Sequence, residues 1–95
     1  MVNGITSLVD GATVKGVVEL KAIANDPNFK KWQLDVLPSG DSNAAIFVAT
    51  GATPGELTQT LDTTAFPNGE HALRLRVVRN DSNYDEFVTK FIIAN

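Results

Sequence analysis

The feature that most constrains the fold is an eight-residue segment, 71–78, that follows the turn residues Pro67, Asn68 and Gly69. Its side chains alternate between two sets, and a period of two is typical of a half-buried β-strand, because successive side chains point to opposite faces of a sheet. The segment therefore predicts a strand with one face in a core. The predicted inward residues are His71, Leu73, Leu75 and Val77, and the outward ones are Ala72, Arg74, Arg76 and Val78.

Turn-forming residues recur at short intervals along the whole chain, and no segment has convincing helical periodicity. Short strands separated by frequent turns are typical of a β-sandwich or barrel. We predict an all-β fold, a seven-stranded antiparallel Greek-key β-sandwich formed by a single domain, residues 1–95. The predicted strands lie near residues 4–9, 14–25, 30–37, 44–50, 57–62, 70–79 and 84–94.

The alternation in the third predicted strand places Trp32 inside the sandwich and Asp35 on the exposed side. The core is then expected to centre on Trp32, packed against Leu20, Leu73, Leu75 and Phe91. Truncation of a large buried aromatic residue typically costs about 3–5 kcal/mol of stability. Trp32 is therefore predicted to be among the least replaceable residues.

Length and charge exclude several classes of function. A chain of 95 residues fits one domain. Its net charge of −3 argues against a general nucleic-acid binder, which needs basic residues for phosphate contacts. No apolar run approaches the roughly 20 residues of a membrane-spanning helix, so membrane insertion is not expected. Because cysteine is absent, disulfides and thiolate metal sites are excluded. We expect a monomeric module excised from a larger protein.

The single histidine limits catalytic chemistry. With His71 alone, neither a His–His metal pair nor a Ser-His-Asp system with a spare base can form. We therefore predict no catalytic residue, no cofactor and no enzymatic activity, and expect the imidazole to bond a nearby backbone group. Asp62 is expected to close an Asx-turn, and Gly69 to supply a positive φ angle in the turn that follows.

Asp81, Asn83 and Asp85 place oxygen ligands at alternate positions, a spacing that opens a calcium loop of the EF-hand kind. Two elements of that loop are missing, since Glu86 stands at the expected glycine and Ile92 at the expected bidentate acid. A hairpin turn explains the same residues, because Asn, Asp and Ser favour tight turns. The hairpin is the preferred interpretation, and calcium binding is the alternative.

Arg74 and Arg76 are predicted to lie on an exposed face, with Asp35 and Glu86 on neighbouring strands. Mixed charges favour cross-strand ion pairs, each contributing only about 0.2–1 kcal/mol. The alternative is that the guanidinium groups grip carboxylates of a partner. Together with Tyr84 beside the last turn, the two arginines form the predicted partner-binding patch.

The order of these landmarks resembles an immunoglobulin-like or fibronectin type III-like sandwich, with Trp32 as the core tryptophan of the third strand. His71 stands where such domains usually have a corner tyrosine, and Leu73 where the second cysteine would be. Segments 10–20 and 61–78, with Trp32 and the pair Asn83-Tyr84, are similar to bacterial surface modules. Such modules occur as C-terminal appendages of bifunctional penicillin-binding proteins and in other secreted bacterial proteins.

The resemblance implies a role as well as a fold. It implies a non-catalytic accessory module, a spacer or interaction domain, in an extracellular or cell-envelope protein of a bacterium. Its expected partners are the neighbouring domains of the parent protein. The alternative is a binding module for a cell-wall glycan, a stem peptide or a protein partner.

Overall fold

The structure is a computed structural model, and it describes residues 3–95. These residues form eight strands and two single-turn 3-10 helices. The strands are β1 (Gly4–Ser7), β2 (Ala12–Val14), β3 (Val17–Ala24), β4 (Phe29–Pro38), β5 (Ile46–Gly51), β6 (Gly55–Asp62), β7 (Gly69–Arg79) and β8 (Tyr84–Ile93). The helices are Ser42–Ala44, between β4 and β5, and Thr63–Ala65, between β6 and β7.

The strands form two sheets that pack face to face. One has three strands in the order β1-β3-β6, and the other has five in the order β2-β8-β7-β4-β5. All neighbouring strands are antiparallel except β2 and β8, which are parallel. The predicted β-sandwich is confirmed. Neither helix in residues 3–95 has the length that crossing a bilayer requires.

One predicted strand is divided in the structure. The sequence suggests a continuous strand over 14–25, but the chain leaves the five-stranded sheet after Val14 and enters the three-stranded sheet at Val17. Gly16 lies between them with φ +63°, a left-handed conformation that glycine adopts without steric cost. This turn produces the eighth strand and the one parallel pair.

The core lies between the sheets and contains the residues that the alternation predicted. Trp32 is buried in one apolar cluster with Leu20, Leu73, Leu75 and Phe91. Gly51 of β5 lies directly against the indole, since a Cβ atom at that position would come within 2.6 Å of the ring. The position of β5 that pairs with Trp32 therefore requires glycine.

Candidate functional sites on the outer sheet face and at the two ends

The outer face of the five-stranded sheet carries the predicted partner-binding arginines. Strand register places Asp35 of β4 opposite Arg74 of β7, with Phe47 beyond Asp35 and Val88 beyond Arg74. Arg74 Nη2 donates to Asp35 Oδ2 at 2.9 Å, and the two residues are only 7% and 2% exposed. The prediction that both are exposed is wrong, because they meet on central strands and neighbours in the same row shield them from water.

Two further residues extend this pair. Gln33 Nε2 donates to both carboxylate oxygens of Asp35, at 3.1 and 3.2 Å, and Arg74 Nη1 lies 3.9 Å from Glu86 Oε1. Arg74 Nε is buried without a hydrogen-bond partner within the described part of the chain. Removing one member of such a pair leaves a buried charge without compensation. Arg74 cannot engage a partner's carboxylate without incurring that cost.

Arg76 and Tyr84 are more accessible but are also engaged within the chain. Arg76 Nε donates to Glu86 Oε1 at 2.6 Å, and its guanidinium carbon lies 4.7 Å from the centre of the Tyr84 ring. This distance fits a cation–π contact. Arg76 and Tyr84 therefore form the accessible part of the predicted patch, and Arg74 forms its buried base.

The calcium candidates lie in the β7–β8 hairpin and do not converge. Asp81 accepts hydrogen bonds from the Asn83 backbone and side-chain amides, which lower the pKa of Asp81, while Asp85 bonds Arg79 at 2.8 Å. Ser82 takes a positive φ of 71° in the turn. Within residues 3–95, no three histidine, cysteine or acidic side chains come together as a metal site. The carboxylates serve the turn and its flanking ion pair.

His71 is buried at the corner before the long strand β7. Its Nε2 donates to the Pro67 carbonyl at 2.7 Å, and its Nδ1 accepts from the Ser39 amide at 3.2 Å. This assignment corresponds to a neutral imidazole with its proton on Nε2. The histidine thus links the β4–β5 loop to the β6–β7 loop, in the place where the resemblance would put a tyrosine.

Asp62 and Gly69 bracket the same loop. Asp62 caps the short helix Thr63–Ala65 by accepting from the side-chain hydroxyl of Thr64 at 2.6 Å and from its amide at 3.0 Å. These hydrogen bonds lower the pKa of Asp62. Gly69 has φ +127°, outside the range that most side chains allow. Both residues act in the turn.

Asn95 fixes the end of the described chain by several hydrogen bonds that no sequence pattern predicts. Its side-chain oxygen accepts from the Gly16 amide at 2.8 Å, and its side-chain nitrogen donates to the Thr63 carbonyl at 3.1 Å. Its backbone amide donates to the Asn68 side chain at 2.9 Å, and Asn68 donates back to its carbonyl at 3.2 Å. The β2–β3 turn and the β6–β7 loop are thus joined to one residue.

A similar contact fixes the other end of the molecule. Asn3 exchanges two hydrogen bonds of 2.7 Å with the backbone of Asn25. Because β1 pairs with the end of β3 that leads to Asn25, whereas Asn95 lies beside the turn that begins β3, the two asparagines lie at opposite ends of the sandwich. The longest dimension of the molecule is 39 Å. A lone asparagine has no sequence spacing that would predict such a contact.

A shallow cleft of about 490 Å³ lies on the outer face near the Asn95 end. Its walls include the loop at Asp10 and Gly11 and the loop at Ser39 and Gly40. Asp10 accepts a hydrogen bond from the Lys90 amide at 2.9 Å, which holds the first loop against β8. Its lining also includes Glu70, Ala72, Val88, Lys90 and Ile92, so the cleft combines an aliphatic surface with charges of both signs.

Comparisons with known proteins identify a fold and no family. No protein-family model matches the chain, and no curated protein matches it. Among solved structures, it is similar to part of the endo-β-1,4-mannanase from Thermotoga petrophila, with a TM-score of 0.76 and 23% identity. That match covers 98% of this chain and 19% of the mannanase chain.

A second similar structure is CopC from Methylosinus trichosporium OB3b, with a TM-score of 0.55 and 21% identity. In this case the match covers 97% of this chain and 93% of the CopC chain. At these identities, the likenesses establish the fold alone. The chain is an immunoglobulin-like β-sandwich, a fold that is one part of a larger chain in the mannanase and nearly the whole chain in CopC.

Proposed function

We propose that this domain is a non-catalytic accessory module of a larger bacterial extracellular or cell-envelope protein, in which it separates and orients neighbouring domains. The observation that carries the proposal is the likeness to the mannanase, where a sandwich of this shape makes up about a fifth of the chain. Penicillin-binding proteins, which carry such modules as appendages, are the kind of parent protein that the sequence resemblance suggests. Catalysis is assigned to other domains of that parent.

The positions of Asn3 and Asn95 support a spacer role. A spacer transmits orientation only if the chain leaves it in a defined direction, and hydrogen bonds to turns of the domain hold both asparagines. Since the two lie at opposite ends of β3, neighbours attached there would be separated by roughly the length of that strand, about 25 Å at about 3.3 Å per residue. Fixed ends distinguish this geometry from a flexible linker.

The state of the polar residues is also consistent with a non-catalytic role. A general base needs a free lone pair near a substrate. The imidazole of His71 uses both ring nitrogens on backbone groups, and the Asp35 carboxylate is occupied by Arg74 and Gln33. These groups are engaged in holding loops and strands together.

A binding module is the second candidate, and the cleft beside Asp10 is the observation that favours it. Concave sites with an aliphatic surface and a few polar groups are where small ligands and peptide side chains usually bind. Asp10, Glu70 and Lys90 could orient a polar ligand above Val88 and Ile92. A cell-wall glycan, a stem peptide or a segment of a partner protein are the candidate ligands.

The spacer role can be tested by placing the domain between two spin-labelled reporter domains and measuring their distance distribution. We expect a narrow distribution for the wild type and a broader one for Asn95→Ala, which loses the side-chain contacts to Gly16 and Thr63. Asn43→Ala, an exposed asparagine in the first 3-10 helix, is the matched control. Equally broad distributions for all three proteins would refute the spacer role.

The binding alternative is tested separately by NMR titration of the isolated domain with peptidoglycan fragments and with mannan oligosaccharides. A spacer predicts unchanged chemical shifts. Saturable shifts confined to Glu70, Val88 and Lys90 would favour the binding module, and their loss in Val88→Asp would assign the cleft. Shifts spread over the whole surface would indicate non-specific contact and would not support binding in the cleft.

A further inference from the structure

Four strands lie at the edges of the two sheets, and three of them have features that discourage pairing with another chain. β1 has four residues and an irregular register between Ile5 and Ser7, and β2 has only three residues. β6 is longer but carries Glu56 and Asp62 near its two ends. Short length, irregularity and charge are the usual means by which proteins protect edges that present unpaired N–H and C=O groups.

The remaining edge, β5, is much less protected. The segment 44–52 contains neither a charged residue nor a proline, and β5 bonds only to β4 within the described structure. Ile46 and Phe47 are 43% and 58% exposed. The shift in register near Val48 bends the strand and is its one protective feature. A neutral, apolar edge of high β-propensity is the type of segment that recruits another strand.

We propose that β5 is a homotypic pairing edge, through which two copies of this chain join in an antiparallel, two-fold symmetric arrangement. The five-stranded sheets of the two copies then form one continuous sheet. In a two-fold contact, each residue of the strand meets a residue of the same strand. Because β5 is neutral, this symmetry places no like charges opposite each other, and the exposed parts of Ile46 and Phe47 are covered.

The other long edge shows why the charge pattern matters. Antiparallel pairing of β6 with its own copy about Gln59 would place Glu56 opposite Asp62, and like charges directly opposite are destabilising. β5 has no such obstacle in any register. A strand from an unrelated protein would need a matching neutral segment, whereas a second copy always provides one.

This inference extends the spacer proposal, since pairing through β5 would hold two parent proteins side by side. The contact is small, and small interfaces are weak and concentration-dependent. The monomer expected from the sequence should therefore predominate in dilute solution. The dimer should form at high concentration or when neighbouring domains bring two copies together.

The test is sedimentation equilibrium of the 95-residue chain from about 10 μM to about 1 mM, the range in which small interfaces associate. Hydrogen exchange at both limits shows where the copies meet. We expect self-association with slower amide exchange at residues 46–51. Phe47→Lys should raise the dissociation constant by roughly tenfold or more, because it places two like charges in the contact. Val17→Lys, at another exposed apolar residue, is the matched control and should associate like the wild type.

Ile46→Lys provides a second edge variant if Phe47→Lys fails to fold, as judged by its urea midpoint. A wild type that stays monomeric up to the highest concentration would overturn the proposal. So would a dimer that Val17→Lys disrupts and both edge variants leave intact, or protection confined to other strands. Loss of the spacer role would leave these measurements unaffected, because they use the isolated domain.

Discussion

Arg74 and Arg76 are two residues apart on the same face of β7, yet their environments differ sharply. Arg74 is 7% exposed and bonds the buried Asp35. Arg76 lies toward the hairpin and bonds Glu86, whose side chain is exposed to solvent. Both pairs have short nitrogen–oxygen distances. The difference shows that the surroundings of an ion pair, more than its geometry, determine what its removal costs.

The largest expected effect is at the buried pair. Asp35→Ala leaves the Arg74 guanidinium buried without its carboxylate, and we expect a loss of about 3–5 kcal/mol in the free energy of unfolding. Urea denaturation measures this loss. The double variant Asp35→Leu with Arg74→Leu removes both charges and should recover most of it. A loss below about 1 kcal/mol for Asp35→Ala would mean that the pair behaves like a surface contact.

His71 should rank next, because it bridges two loops through neutral hydrogen bonds. His71→Leu removes the contacts to Pro67 and Ser39, and we expect a loss of about 1–3 kcal/mol in urea denaturation, the usual penalty for leaving polar groups unpaired. Glu70→Leu, at the exposed neighbouring position, is the control and should change stability by less than about 0.5 kcal/mol. Equal losses in the two variants would argue against a bridging role.

The exposed pair provides the contrast to Asp35. Arg76→Ala removes the bond to Glu86 and the contact with Tyr84, and we expect a loss of only about 0.2–1 kcal/mol in urea denaturation. The loss should shrink further in high salt, since exposed pairs are screened. A loss as large as that of Asp35→Ala would show that exposure does not explain the difference between the two arginines.

The same contrast explains which features the sequence could predict. Period-two alternation predicted the inward face of β7 and the core position of Trp32, because burial against the opposite sheet depends on the apolar pattern alone. It did not predict the burial of Asp35 and Arg74, which depends on the lateral order of β5, β4, β7 and β8 and on register. These are properties of paired strands that no single strand contains.

Local turn chemistry was predictable where the partner lies within a few residues along the chain, as for Asp62 with Thr64 and for His71 with Pro67. The bond between Ser39 and His71 and the contacts of Asn95 were not predictable, since they join residues far apart in the sequence and carry no recurrent spacing. The division of strand 14–25 at Gly16 was also missed. A glycine within an alternating segment signals a weak point but does not reveal that the chain changes sheets.

The smallest expected effect concerns pH and the exposed turn at Asp62. Hydrogen bonds from the Thr64 hydroxyl and amide hold the pKa of Asp62 below the ordinary aspartate value of 3.8 in the folded state. A carboxyl whose pKa is lower when folded stabilises the protein above its unfolded pKa and loses that contribution as pH falls through the folded value. Asp62→Asn keeps an acceptor oxygen but cannot titrate. The midpoint temperature of thermal unfolding should therefore decline less steeply between about pH 5 and pH 2 for the variant than for the wild type.

Asp81→Asn, in the hairpin, should act in the same direction, because Asn83 lowers the pKa of Asp81 by the same kind of contact. Parallel pH profiles for all three proteins would show that these turn hydrogen bonds do not favour the ionised carboxylates.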